Sequence, residues 1–138
     1  MVGYSGTPLW RKLGLKPAAL VQLVHAPPGW TVQDVPHELH WMGPAETGHA
    51  DVIVAFFMNA AACETEIPML AERIHPDGAV WIAWPRKAAG HVSDLGDTVI
   101  RDAALAIGLV DVKVAAIDDD WSGLKLVWRV ELRHTSRY

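Results

Sequence analysis

Two apolar runs that do not alternate with polar residues constrain this chain more than any other feature. The first covers residues 51–57 (DVIVAFF) and the second covers residues 79–84 (AVWIAW). A strand with one face in water alternates apolar and polar side chains, whereas a strand buried on both faces is apolar throughout. Strands of the second kind form the centre of parallel sheets that are covered by helices. The two runs therefore predict the middle of a parallel sheet in an α/β domain.

The segments that follow these two runs have helical spacing. Residues 60–74 carry an apolar stripe that includes Cys63, where the thiol would behave as a small buried hydrophobe. Pro68 interrupts this stretch and removes a backbone donor, so we expect a kink or two helical pieces. Residues 91–108 are predicted to hold the next helix, with Gly108 as its C-terminal cap.

The first third of the chain has weaker signals. Residues 7–14 are predicted to form a short helix, and residues 19–25 (ALVQLVH) the first strand. Apolar residues within 31–39 have helical spacing, but Pro36 interrupts them. We therefore expect a short broken helix there, followed by a weak strand at residues 39–42.

The last quarter of the chain changes to a period of two. Apolar residues alternate with mostly polar ones in 109–117 and again in 124–132, on either side of an acidic turn that begins at Asp118. Period two around a turn predicts an antiparallel hairpin, and we place it at a sheet edge, with 124–132 at or near the edge. The clean alternation also permits modest pairing between copies, so we expect a monomer or a homodimer.

Composition limits the partners and the compartment. The chain has 138 residues, which fits a single Rossmann-like α/β domain spanning 1–138. The net charge of −4 with scattered basic residues argues against nucleic acid or a membrane surface as partner. The single cysteine excludes an internal disulfide and is compatible with a reducing compartment. Because the first residues also lack a signal-peptide pattern, we expect a cytoplasmic protein.

The order of predicted elements resembles a known fold. A strand, a helix, the turn Pro76-Asp77-Gly78, a strand, a helix and a terminal hairpin are similar to the second half of the class I S-adenosylmethionine-dependent methyltransferase fold. Residues 70–85 resemble the stretch in which those enzymes place a proline-glycine turn before their fifth strand. The resemblance implies a three-layer Rossmann-like sheet, a reduced form of the methyltransferase fold that ends in an antiparallel β-hairpin.

The whole chain also resembles a family of short bacterial proteins of unknown function. The shared stretches are 4–9 (YSGTPL), 12–17 (KLGLKP), 84–87 (WPRK) and 121–125 (WSGLK). This second resemblance covers nearly the full length, implies the same fold and supplies no activity.

The chain departs from the methyltransferase pattern where those enzymes hold their cofactor. They follow the first strand with a glycine-rich loop, whereas residues 25–29 here (HAPPG) contain two prolines and one glycine. They carry an acidic residue at the end of the second strand, whereas this chain offers His40 and Trp41, with Glu38 nearby. The chain is also shorter by about one strand–helix unit. We therefore predict the fold without the cofactor.

Candidate ligand-binding residues follow from the predicted sheet. Ligands of open parallel sheets lie beyond the carboxyl ends of the strands, at the switch in strand order. This rule nominates five residues: His25, Asn59, Trp84, Arg86 and Lys87. The simpler alternatives are that Asn59 caps the next helix and that Arg86 and Lys87 belong to a solvated loop. No residue is nominated for catalysis or for metal binding.

These observations leave two functional hypotheses. The first is a non-enzymatic cytoplasmic module that binds a protein partner or a small anionic ligand at the rim formed by the strand ends. The alternative is a divergent methyltransferase or another enzyme with a nucleotide ligand. The missing glycine-rich loop favours the module, although a fold alone does not decide function.

Overall fold

The structure is a computed structural model that describes residues 6–133, and its core is one six-stranded mixed sheet. The strands are β1 (Leu20–Val24), β2 (His40–Met42), β3 (Ala50–Phe56), β4 (Ile74–Pro85), β5 (Leu109–Ala116) and β6 (Trp121–Trp128). The helices are α1 (Leu9–Lys12), α2 (Ala60–Ala71) and α3 (Asp97–Ala106), with short 3-10 turns at Lys87–Ala89 and Val130–Leu132. The mixed α/β class predicted from the sequence is confirmed.

The strand order is β2-β1-β3-β4-β6-β5. Strands β1 to β4 are parallel to one another, and β6 is antiparallel to both of its neighbours, β4 and β5. The chain runs outward from β1 to β2 and then returns to the other side of β1 to form β3. The switch in strand order therefore lies between β1 and β3.

The two apolar runs form the middle of the sheet, as predicted. Strands β3 and β4 pair in parallel with Val54 opposite Trp81, and both side chains are fully buried. Ile53 and Ile82 are equally buried but belong to the core on the opposite face of the sheet. Each strand is therefore covered on both sides, which is why neither alternates with polar residues.

The two faces of the sheet are covered by different kinds of structure. Helices α2 and α3 cover one face through side chains such as Ile67 and Ile100. The other face is covered by α1 and by the chain on either side of β1, through Leu13, Leu15 and Val32. The domain thus has three layers, but one outer layer is mostly irregular chain.

The prediction of a short broken helix at residues 31–39 is wrong, because this segment contains no helix. Asp34 adopts a left-handed conformation with φ of 58°, which a helix does not accommodate, and Pro36 removes a donor. Val32 is nevertheless buried against the sheet. Its apolar spacing therefore reflects burial of an extended segment. The short strand predicted to follow is confirmed as β2.

The helix predicted at 60–74 is present as α2, which ends at Ala71 and remains one helix across Pro68. Buried residues on both sides of the proline, such as Ile67 and Leu70, pack against the sheet and hold the last turn in place. Helix α3 begins at Asp97, later than the predicted start at residue 91.

The C-terminal hairpin is confirmed as β5 and β6 and lies at the edge of the sheet, as predicted. β5 is the outermost strand, and β6 lies one strand further in because it also pairs with β4. β6 ends at Trp128 and not at residue 132. Leu124 and Leu126 are fully buried, so their alternation reflects the core beneath an interior strand. Within 6–133, no helix is long and apolar enough to cross a membrane.

Candidate functional site

The carboxyl ends of β1, β3 and β4 meet at one edge of the sheet, which we call the rim. His25 follows β1, Asn59 lies shortly after β3, and Trp84 is the penultimate residue of β4. Arg86 and Lys87 follow β4 directly. The structure therefore places the five predicted residues along the same edge, and the contacts of each decide what it has available for a ligand.

His25 is engaged with a carboxylate on the helix-covered face. Its Nε2 lies 2.9 Å from Oε1 and 3.1 Å from Oε2 of Glu66 in α2. Its ring also meets the edge of Phe57, with centroids 5.6 Å apart. His25 has a left-handed backbone with φ of 57°, so the turn that leaves β1 directs the chain away within a single residue. These contacts occupy one face of the switch point, where the His25 side chain remains 53% exposed.

An aromatic cluster occupies the other face of the switch point. Trp30 meets Phe56 edge to face at 4.8 Å between centroids, and Phe56 meets Trp121 in the same way at 5.1 Å. The indole Nε1 of Trp30 donates to Oδ2 of Asp118 at 3.0 Å. The segment after β1 is thereby tied across the sheet to the hairpin turn between β5 and β6.

The N-terminus of α2 is capped by side chains. Oδ1 of Asn59 accepts a hydrogen bond from the backbone N–H of Ala62 at 2.9 Å, which confirms the interpretation of this residue as a helix cap. Oδ1 of Asp94 accepts from the N–H of Ala60 at 2.8 Å. Two amides that an anion would need at this helix end already have carbonyl or carboxylate partners.

Arg86 stabilises the hairpin turn. Its Nη1 donates to the backbone carbonyl of Asp118 at 3.0 Å, and its own N–H donates to the carbonyl of Asp120 at 2.9 Å. Oδ1 of Asp118 accepts from the N–H groups of Asp120 and Trp121, so the acidic turn is organised around its first carboxylate. His91 lies 3.0 Å from Oδ1 of Asp120. The Arg86 guanidinium therefore faces an acidic turn.

Lys87 and Trp84 differ in exposure. Lys87 is exposed and forms no ion pair with the side chains that the structure describes. Trp84 is half-buried and packs against the core beneath α2 and α3. Of the five predicted residues, Lys87 alone combines a charge, exposure and the lack of an ion-pair partner among the described residues.

The thiol of Cys63 is buried on the inner face of α2, as predicted. Burial, together with the charges of Glu64 and Glu66, raises its pKa from 9.0 to about 12, so the thiolate needed for nucleophilic attack is scarce at neutral pH. No group of three or more histidine, cysteine or acidic side chains that could hold a metal ion occurs in residues 6–133.

The sequence did not predict which residues form hydrogen bonds with the residues at the rim. Glu66 is 41 residues from His25, and Asp118 is 88 residues from Trp30. A glutamate on the outer face of a helix and a tryptophan in a proline-rich loop have no local signal for such contacts. The hydrogen bond from Asp94 to α2 is equally non-local, because it joins positions 34 apart.

Comparison with solved structures identifies the fold. The chain superposes on magnesium protoporphyrin IX methyltransferase from Synechocystis with a TM-score of 0.61 and 12% identity, over 88% of this chain and 74% of that one. A ribosomal protein L11 methylase from Lactobacillus delbrueckii gives a TM-score of 0.55 and 14% identity, over 88% and 75%. The fibrillarin pre-rRNA processing protein of Methanococcus jannaschii gives 0.52 and 14%, over 88% and 69%.

No protein-family model and no curated protein matches the sequence. The superpositions, with TM-scores of 0.52–0.61, establish a shared fold. Sequence identities of 12–14% leave the activity open. The fold predicted from the resemblance is confirmed: the chain has the class I S-adenosylmethionine-dependent methyltransferase fold in a reduced form.

Proposed function

We propose that the chain is a non-enzymatic binding module that uses the methyltransferase fold without its methyl donor. It would bind a protein partner, or a small anionic ligand, at the rim. The observation that carries this proposal is that the chain's own side chains occupy the crevice between β1 and β3. Open α/β sheets bind their ligands in that crevice, which here holds His25 with Phe57 on one face and Trp30 with Phe56 on the other.

The backbone after β1 also offers little to a nucleotide cofactor. Pro27 and Pro28 have no N–H, and their φ angles are restricted to about −65°, so this turn supplies few donors. Glu38 precedes β2 and therefore lies toward the opposite edge of the sheet from the rim. Beyond the carboxyl end of β2, Oε1 of Glu46 accepts from the N–H of Gly43 at 3.1 Å. Glu38 is therefore not in a position to bind the ribose hydroxyls of a cofactor at the rim.

The rim presents a surface suited to a protein partner. Met58 is 62% exposed and Val92 is 98% exposed. The hydroxyl of Ser93 donates to the carbonyl of Met58 at 2.7 Å, so the two apolar side chains come from adjacent backbone segments. Lys87 adds an exposed positive charge at the same edge. Apolar side chains beside a cation match a partner that carries apolar and acidic groups.

The divergent methyltransferase is the second candidate. One observation favours it: the fold is shared with a magnesium protoporphyrin IX methyltransferase whose structure has S-adenosylmethionine bound. For this chain to bind the same cofactor, Trp30 and the 25–29 turn would have to move out of the crevice. The two candidates therefore make opposite predictions for a single binding experiment.

Isothermal titration calorimetry with S-adenosylmethionine and S-adenosylhomocysteine distinguishes them. We expect no saturable heat at micromolar ligand. A micromolar dissociation constant for either ligand would overturn the module in favour of the enzyme. The variant Trp30→Ala should be titrated in parallel, because it removes one ring of the aromatic cluster from the crevice. If the Trp30 side chain is what excludes the ligand, binding should appear in this variant and not in the unmodified chain.

Binding at the rim is tested by Lys87→Ala. Arg86→Ala is less informative, because it also removes the hydrogen bond that holds the hairpin turn. Once a rim ligand or partner is identified, Lys87→Ala should weaken its binding, and Arg11→Ala on α1 provides an exposed-cation control. Unchanged affinity in Lys87→Ala would remove this residue from the proposed surface. We further propose that the module acts in the cytoplasm as a monomer or homodimer.

A further inference from the structure

A pocket of about 350 Å³ lies at the edge of the sheet opposite the rim. It is bounded by the amino-terminal ends of β1, β3 and β4 and by the second half of the antiparallel β6. The connector from α1 to β1 forms its outer wall, through residues 13–19. This volume is near the lower end of the range for small-molecule sites, so the pocket can hold a compact ligand.

The outer wall of the pocket is held in place by hydrogen bonds from the irregular layer and the core. The indole Nε1 of Trp81 donates to the carbonyl of Leu13 at 3.2 Å, and Nε2 of His37 lies 2.7 Å from the carbonyl of Leu15. Gly14 and Ala18 have left-handed φ angles of 73° and 62°, which fold the connector around the opening. The pocket is therefore preformed and not a gap between loosely packed segments.

Three lysines gather at this pocket and form no ion pair with the carboxylates that the structure describes. Lys16 and Lys125 line it, and Lys113 lies directly opposite Lys125 in the β5–β6 register. Within residues 6–133, no ion pair joins any of the three to a carboxylate. Partial burial lowers the pKa of Lys125, and the charges of Lys113 and Lys16 lower it further. Like charges opposite each other on a sheet are destabilising, so an anion beside Lys125 would relieve an unfavourable interaction.

Two carboxylates also line the pocket, and each has an interaction of its own. Oδ2 of Asp51 accepts from the N–H of Leu20 at 2.9 Å. Asp77 likewise has an interaction within the structure. The lining therefore contains two carboxylates beside two ammonium groups, and both carboxylates are engaged within the protein. The ammonium groups of Lys16 and Lys125 form no ion pair with a carboxylate of residues 6–133.

We propose that this pocket binds the phosphate group of a small phosphorylated molecule through Lys16 and Lys125. Lysine ammonium groups act on phosphate as compact point charges, whereas planar carboxylates are better matched by the arginine fork, which the lining lacks. A Cβ placed on Gly14 would lie 3.9 Å from Nζ of Lys125, so the ammonium group sits directly beside the connector.

The pocket also gives a role to two of the sequence stretches that this chain shares with the family of short bacterial proteins, neither of which contributes one of the five rim residues. The stretch 12–17 contributes Lys16 and the stretch 121–125 contributes Lys125. They are more than 100 residues apart in the chain and meet only in the folded sheet. Because this pocket lies at the opposite edge, the inference is independent of the function proposed for the rim.

Titration of the full chain with inorganic phosphate, followed by two-dimensional amide NMR, tests the proposal. Sodium chloride at matched ionic strength controls for screening. We expect saturable shifts at millimolar phosphate, concentrated in residues 13–19, 77–79 and 125–127. Absence of saturation, shifts scattered over the surface, or shifts centred on Lys87 at the rim would each overturn the proposal.

Variants assign the binding to the two lysines. Lys125→Met keeps most of the aliphatic chain and removes the charge, and Lys16→Gln removes the charge at an exposed position where folding is not at risk. Each should weaken phosphate binding by about tenfold or more, as expected for the loss of a charge-assisted hydrogen bond. Arg11→Gln is the matched control, because Arg11 is an exposed cation that does not line the pocket, and it should bind phosphate as the unmodified chain does. Unchanged affinity in Lys16→Gln and Lys125→Met would refute the site.

Discussion

Trp81→Ala should destabilise this domain more than truncation of any residue at the rim. Trp81 lies in the middle of β4, is 0% exposed and belongs to the core beneath the irregular layer. A Cβ placed on Gly123 of the neighbouring strand would lie 3.1 Å from the Trp81 ring, so the indole fills the space up to the β6 backbone. Truncation therefore leaves a cavity bounded by backbone, which has little freedom to close.

The magnitude follows from the cavity and from one hydrogen bond. Large aromatic truncations in cores cost about 3–5 kcal/mol. Part of that loss comes from the Leu13 carbonyl, which accepts from the indole Nε1 at 3.2 Å and would lose its donor. Trp81→Phe separates the two contributions, because it keeps much of the packing and removes the donor; it should cost about 1–2 kcal/mol. For a chain of this length, 3–5 kcal/mol corresponds to a melting temperature lower by roughly 10–20 °C.

Thermal and urea unfolding monitored by far-UV circular dichroism measure this loss. Trp84→Ala is the matched control, since it removes the same side chain from the same strand on the opposite face, where it is only half-buried. It should cost about half as much as Trp81→Ala. An unchanged melting curve for Trp81→Ala, or a larger loss for Trp84→Ala, would show that the assignment of the two faces is wrong.

Four further outcomes are expected. Asn59→Ala should cost about 1 kcal/mol of unfolding free energy in urea, because it removes the cap of α2; no loss would contradict the capping role. Gly123→Ala should cost about 1–3 kcal/mol, because its Cβ would lie 2.6 Å from Ile117, whereas Gly48→Ala, where a Cβ meets only ordinary contacts, should be nearly neutral. Cys63 should react with a thiol reagent at pH 8 about a thousandfold more slowly in the folded protein than in urea, since its pKa is raised from 9.0 to about 12. The same raised pKa stabilises the fold fully below pH 9, and this contribution should be lost as the pH rises toward 12.

Local pattern was sufficient to predict the central strands, the hairpin and α2. Residues 52–57 and 79–84 are apolar throughout because both faces of β3 and β4 are covered, and an uninterrupted apolar run of this kind can be recognised in the sequence alone. The cap at Asn59 was predictable for the same reason, since it bonds to an amide three residues away. The prediction of a helix at 31–39 was wrong, because the left-handed conformation of Asp34 leaves no trace in apolar spacing.

By itself, the sequence determined the fold class and the edge of the sheet at which the five candidate residues lie. It could do so because burial of apolar side chains and strand polarity depend on near neighbours in the chain. Only the tertiary structure decided what those residues have left to offer a ligand. His25 bonds to Glu66, Trp30 to Asp118 and Arg86 to the hairpin turn, across separations of 41, 88 and 32 residues. The meeting of Lys16 and Lys125 at one pocket is decided in the same way, since contacts between distant segments exist only once the sheet has brought its strands together.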